Sequence, residues 1–261
     1  MKTIAPMQDR WRIGRRVEAL VMKKAIALTL TAIWIGLLLT SATSVIEGQV
    51  LARNSESPYA VECGTGQNRW KLTQETRPGA PRVVTMSGRI SESRAKKILA
   101  KRSREVLLAI KNQDGATLAT FVHPRKGVRF SLYGYVFVGA DRVFTRNRIK
   151  DLFASNRRYV WGCEDGSGNP IRLTARQYIK RYVCNRDFLR VKEIGYNKML
   201  LGGDATTNIG EVYPDAIPVT YYYPGSDPNV PGYGWESLCL AFEKKDGTWY
   251  LIGVITSFQT I

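Results

Sequence analysis

Residues Ala25 to Ile46, AIALTLTAIWIGLLLTSATSVI, form a run of 22 residues without a charge, placed directly behind Met22-Lys23-Lys24. A segment this long and apolar is suited to a bilayer or to export machinery, so it divides the chain into a leader and a remainder. Its heart, Ala25 to Leu39, follows a cationic start and gives way to small polar residues, Thr40-Ser41-Ala42-Thr43-Ser44. Charge, then apolar residues, then small ones is the order of a secretory signal. Taken whole, the run also has the length to span a hydrocarbon core of roughly 30 Å at about 1.5 Å per residue. Two readings therefore stay open: a signal cut after Val50-Leu51-Ala52 (or earlier, near Ala42), or a retained membrane anchor. Residues 1–52 are assigned to this element. Met22 is the expected true start, because Met22-Lys23-Lys24 is itself an ordinary signal beginning. Everything downstream is expected to be extracytoplasmic: periplasmic, secreted, or tethered to the membrane.

The chain carries 39 Lys/Arg against 22 Asp/Glu; the first 52 residues hold only seven and three of these, leaving the remainder at about +13. A balance that positive suits an anionic envelope component as partner, or keeps a soluble protein dispersed. Export argues against chromosomal DNA or ribosomal RNA.

Four cysteines, Cys63, Cys163, Cys184 and Cys239, all follow the leader. An even number in an exported chain reads as two disulfides, with three possible connectivities. The pairing expected is Cys163 with Cys184 and Cys63 with Cys239, a bridge of the about 20-residue Cys163–Cys184 loop size contributing roughly 3 kcal/mol. No C-x-x-C occurs and His123 is the single histidine, so no metal site and no cofactor are expected.

Residues 53–88, with Pro58, Gly64, Gly66 and Pro78-Gly79-Ala80-Pro81, read as an extended arm, and residues 89–261 as one domain. From Ser91 to Asn112, Ile98, Leu99, Val106, Leu107 and Ile110 recur at helical spacing opposite Lys96, Lys97, Lys101 and Arg104. Ser91 is the expected cap and Asp114-Gly115 the stop. The basic 94–111 helix offers either a core-facing element with a solvated side or a polyanion or membrane-surface contact. A short helix over 116–122 should end at His123-Pro124. Thr145 should cap a further short helix. Residues 159–163 read as a strand, residues 174–183 as a helix, and Asp165 to Pro170 as the turn between them. The last third is β-rich: residues 216–223, then two strands flanking Lys245-Asp246-Gly247, a hairpin signal. Residues 195–212, rich in glycine, read as a loop. Helices first and a meander last predict an α+β fold.

Catalytic chemistry has little to draw on. Any histidine mechanism must use His123, and a helix-end position beside Pro124 suits local packing equally well. His123 and Arg129 at a pocket mouth would grip an anion. Tyr178 and Trp235 are the further binding candidates, as aromatic surfaces.

One stretch carries a resemblance: His123-Pro124-Arg125-Lys126-Gly127-Val128-Arg129-Phe130-Ser131-Leu132-Tyr133. It is similar to the signature His-Pro-x-Lys-Gly-Val-Arg-Phe-Ser-Pro-Tyr of a family of exported bacterial domains of unknown function. The likeness continues through Trp161-Gly162, Asp165 to Ile171, Ile209 to Ala216, Trp235 to Leu238 and Trp249 to Ile255, covering roughly residues 92–261. Leu132 and Gly134 depart from the family's Pro and Ala, and the end Ile255-Thr256-Ser257-Phe258 lacks a His and an Asp that relatives carry. The resemblance implies an NTF2-like cone, helices packed on a curved antiparallel sheet, and transfers no activity. The expectation is a non-catalytic binding or envelope-associated module for an unknown small molecule or anionic component. The alternatives are a small-molecule enzyme with His123 or Asp165 at the pocket, and surface attachment through the basic helix.

Overall fold

The computed structural model describes residues 80–85, 90–225, 229–230 and 232–259. The signal or anchor expected over 1–52 and most of the 53–88 arm lie outside the described residues. Among the described residues no helix is long and apolar enough to cross a membrane.

Helix α1, Glu92–Lys111, starts where the Ser91 hydroxyl accepts the Arg94 N–H at 3.3 Å. It buries Ala95, Leu99, Ser103, Val106, Leu107, Ala109 and Ile110. Ile98, expected in the core, lies at the solvent edge of that stripe. Ser103 fits inside it because its oxygen receives the Tyr221 hydroxyl at 2.9 Å, which removes the cost of burying either group alone. The stop expected at Asp114-Gly115 is a start instead. Helix α1 ends at Asn112, Gln113 turns with φ 53°, and the Asp114 carboxylate caps α2, Gly115–Phe121, by accepting the Thr117 N–H. A short acidic side chain is a better N-cap than a terminator. Val122 is extended, as a residue close to Pro124 should be.

The chain continues as β2 (Val128–Ser131), β3 (Arg142–Phe144), α3 (Arg146–Leu152, capped by Thr145), β4 (Arg158–Cys163) and β5 (Pro170–Thr174). A capping box of Thr174 and Gln177 opens α4, Ala175–Tyr178, which runs into a π-turn, Ile179–Val183. Then come β6 (Glu193–Tyr196), β7 (Lys198–Leu201), α5 (Ile209–Val212), β8 (Ile217–Tyr223), β9 (Glu236–Lys245) and β10 (Thr248–Phe258). The fold is α+β.

Six strands make the main curved sheet in the order β3-β2-β10-β9-β8-β6, with β2 parallel to β10 and every other pair antiparallel. β4 and β5 pair with each other. Two expectations fail in one place: β1, Arg82–Thr85, lies inside the supposed arm and pairs antiparallel with β7, inside the supposed loop. Both are four-residue strands with too few alternations to stand out from their Gly- and Pro-rich surroundings.

Asp246 and Gly247, with φ 48° and 79°, form the two-residue turn that joins β9 to β10. Further along, β10 carries a bulge between Leu251 and Gly253. The extra residue reverses the alternation, so Leu251 and Val254 both face the helices, while Ile252 and Ile255 face the other side. The inner face, with Val128, Phe130, Leu240 and Phe242, packs on α1 to α4. The outer face, with Cys239, Ala241 and Ile255, is covered by Val136, Met199, Leu201 and Ile209. Each fully buried side chain of this size contributes about 1.5–3 kcal/mol.

The cysteines correct the expected pairing. Cys184 and Cys239 are free thiols, so neither Cys163–Cys184 nor Cys63–Cys239 forms. Cys239 is enclosed by the outer apolar cluster, and burial pushes its thiol up to about 12; Cys184, at the end of the π-turn, is pushed up to about 11 by the same cause. Cys63 lies outside the described residues.

Candidate functional site

The aromatic residues of α4 organise the interior. Four residues apart, Tyr178 and Tyr182 fall on one face of the helix, their ring centroids 5.6 Å apart. Tyr178 stacks on Trp161 of β4, whose indole N–H donates to the Leu173 carbonyl at 2.9 Å. Tyr182 stacks on Phe258 of β10 at 6.0 Å, and Phe258 meets Tyr133 at 5.2 Å. A column of rings thus runs from the core to the end of β10.

Polar groups fix the outer part of this column. The Tyr182 hydroxyl and the Arg181 guanidinium both donate to Oε1 of Glu164 at 3.0 Å. Tyr133 donates to the Cys163 carbonyl and receives the Asp165 N–H. Burial raises the pKa of Tyr133, Tyr178 and Tyr182, with Glu164 adding to the effect at Tyr182, so all three phenols stay neutral hydrogen-bond donors. The Tyr178 hydroxyl is wholly buried without a hydrogen bond of good geometry, and its interaction with the Thr256 side chain tempers that rise without cancelling it.

Where the column reaches the surface there is a cleft of about 160 Å³, lined by Arg181, Tyr182, Asn185, Trp235, Glu236 and Phe258 among others. Glu236, nearly buried, receives hydrogen bonds from Asn185 and from Arg186, the latter at 2.7 Å. Trp235 stacks on Tyr222 with centroids 6.3 Å apart and planes 16° from parallel. A larger cleft of about 750 Å³ lies elsewhere, lined by Val84, Asn208, Glu211, Glu243 and Trp249 among others.

Of the sequence candidates, Trp235 lines the smaller cleft and Tyr178 sits one helical turn below it; neither touches the larger one. His123 lines neither cleft. It is 3% exposed, its Nδ1 receives the N–H groups of Arg125 and Lys126 at 3.2 and 2.9 Å, and its ring meets Tyr250 edge-on. Its Nε2 is 3.9 Å from Glu243, and burial, outweighing that carboxylate, lowers its basicity. Arg129 is also engaged internally, with Nε donating to the Tyr213 hydroxyl at 3.1 Å and an outer nitrogen to the Val138 carbonyl at 2.8 Å. Asp165 lies in the exposed β4–β5 turn. Among the described residues no group of three or more His, Cys, Asp or Glu is arranged to hold a metal ion.

Sequence reasoning missed Tyr182, Phe258 and Glu236 as lining residues. Tyr182 was legible, since it shares the Tyr178 side of its helix; the other two meet it only through the tertiary fold.

No family model matches the chain, and no curated protein matches it. Several solved structures are similar at low identity. One is a single-residue variant of Rv3472, a protein of unknown function from Mycobacterium tuberculosis, at 12% identity over 65% of this chain and 75% of that one, TM-score 0.26. Another is a putative calcium/calmodulin-dependent protein kinase II association domain from Xanthomonas campestris, at 15% identity, 62% and 85% coverage, TM-score 0.24. A third is an NTF2-like protein with a cystatin-like fold from Novosphingobium aromaticivorans, at 11% identity, 61% and 80% coverage, TM-score 0.27. At these scores none of them carries an argument about this chain.

Proposed function

We propose that the chain is an extracytoplasmic, NTF2-like binding module without a catalytic role, taking a flat, largely apolar small molecule at the cleft between α4 and the ends of β9 and β10. The element order supports the NTF2-like reading: after the short β1 come two helices, a third follows β2 and β3, and a curved, mainly antiparallel sheet closes the domain. One observation carries the binding reading. The cleft joins Trp235 and Phe258 to the Tyr182–Tyr178–Trp161 column, so a planar ligand meets rings on its faces and Arg181, Asn185 and Glu236 at its edge. Aromatic walls beside a few convergent polar groups recur in small-molecule sites.

The enzyme reading built on His123 is weaker, because that imidazole spends its acceptor nitrogen on two backbone N–H groups away from the cleft. Export and attachment to the envelope rest on the apolar run 25–46 and the order of residues around it.

The test uses anilinonaphthalene sulfonate, an aromatic probe whose planar naphthalene carries an anionic sulfonate. Saturable binding to the full chain, weakened about tenfold in Trp235→Ala with circular dichroism unchanged, supports the reading. Binding that Trp235→Ala leaves intact removes it. Turnover of a screened metabolite, abolished in His123→Ala, moves the assignment to an enzyme.

A further inference from the structure

A second arrangement lies at another corner of the molecule and shares no residue with the cleft. Tyr250 of β10 is approached by two guanidinium groups. The central carbon of Arg102, from α1, is 5.9 Å from its ring centroid, and that of Arg146, the first residue of α3, is 5.4 Å away. Arg102 also lies over the Phe121 ring at 5.0 Å. The two cationic centres are therefore no more than about 11 Å apart.

Two cations share one aromatic ring here, and the carboxylates around them are paired with lysines, although Glu105 still favours the charged form of Arg102. Glu105 pairs with Lys101, Glu243 with Lys126, and Asp246 with Lys245. Among the described residues neither Arg102 nor Arg146 forms an ion pair with a carboxylate. Arg146 gives Nε and one outer nitrogen to the Val122 carbonyl at 3.2 and 2.8 Å, and keeps further donors. The Nε of Arg102 is buried with no acceptor. Aromatic faces offset part of the cost of such cations, typically about 0.5–2 kcal/mol each, but they satisfy no N–H group. Arg125 and Lys126, both exposed, extend the same positive corner.

We infer that the Arg102–Tyr250–Arg146 corner is an anion site for a phosphoryl group. Two planar forks call for an anion with more than two acceptor oxygens, and a tetrahedral phosphate can accept from both at once where a carboxylate serves one fork. The chemistry is common to free phosphate, a phosphate-bearing polymer and an anionic phospholipid headgroup.

The experiment compares binding of inorganic phosphate, short-chain polyphosphate, and phosphatidylglycerol vesicles against phosphatidylcholine vesicles, all with the full chain at low salt. Arg102→Gln/Arg146→Gln should bind about tenfold more weakly than the parent. Lys97→Gln/Lys101→Gln, which removes the same charge from α1 alone, should differ little. Arg102→Lys/Arg146→Lys, which keeps the charge and loses the fork, should fall between. Whichever probe shows the contrast identifies the source of the phosphoryl group. Equal losses in both glutamine pairs, an unchanged arginine pair, or no binding of any probe by the parent overturns the inference.

Discussion

The indole of Trp161 lies flat on the phenol of Tyr178, with centroids 3.9 Å apart and planes 9° from parallel. Both rings are fully buried, and Phe130 meets each of them edge-on, at 5.8 and 6.1 Å. Trp161→Ala removes the floor of the column and leaves a cavity, which should cost about 3–5 kcal/mol in chemical denaturation. Tyr178→Phe should differ from the parent by less than about 1 kcal/mol, because the hydroxyl it deletes has no well-formed hydrogen bond to lose. A large loss in Tyr178→Phe would mean that this hydroxyl has a partner in solution.

Asp141 gives a pH prediction. Its carboxylate receives the Phe137 N–H at 2.8 Å and the Ser131 hydroxyl, and burial, the largest influence on it, still raises its pKa from 3.8 to about 6. Between those values the folded chain holds a proton that the unfolded chain has released. This group's contribution is therefore complete below about pH 4 and is lost as pH rises through about 6. The melting temperature of the parent, measured relative to Asp141→Asn, should fall by a few degrees from pH 4 to pH 7 and then level off. A flat difference would remove the assignment.

For His123 the sign is opposite. Burial depresses its basicity, so the contribution is complete above about pH 6.5 and is lost as acid forces a proton onto the imidazole. Protonation also takes away the acceptor used by the Arg125 and Lys126 N–H groups. His123→Ala should destabilise the protein by about 1–3 kcal/mol at neutral pH while leaving binding at the Trp235 cleft unchanged. Loss of binding without loss of stability would contradict this structural role.

Much of the fold was legible, and the failures share a cause. Ser91 and Thr145 declared their helix starts because a capping oxygen is a local device, and Asp246-Gly247 declared its turn for the same reason. Nothing local announced the bulge at Ile252: straight alternation would put Leu251 and Ile255 on one face, and only pairing with β9 reveals the slip. Pairing of β1 with β7 was equally hidden, being a contact between two short strands far apart in the chain. The site divides in the same way. Tyr178 and Trp235 were nameable as aromatic candidates, whereas Glu236 and Phe258 join them only once β9 starts and β10 ends beside α4.

The thiols test compartment and structure together. Cys163 is disulfide-bonded, while Cys184 and Cys239 are free thiols. A non-reducing digest should retain Cys163 in a cross-linked peptide and release the Cys184 and Cys239 peptides as free thiols. Cys239 should resist alkylation until the protein is unfolded, since it is wholly buried. Recovery of four free thiols from the natural source would oppose both the bridge and an oxidising destination.

Gly202 connects packing to binding. A Cβ built there would come within 2.3–2.5 Å of the Trp235 indole, far inside contact distance, so the ring lies directly against the glycine backbone. Trp235 in turn walls the small cleft. Gly202→Ala must push the indole or the β7–α5 connection aside, and overpacking of this kind typically costs about 1–3 kcal/mol. If the cleft is the binding site, the same displacement should weaken probe binding by about the margin expected for Trp235→Ala, in a protein that still folds. Gly203→Ala makes the informative contrast: its Cβ would stand 3.6 Å from the indole nitrogen, an ordinary contact, while φ 53° strains the backbone. It should lose stability and keep its ligand. Equal binding losses in both variants would show that the loop's backbone, and not the seat of the Trp235 ring, governs the cleft.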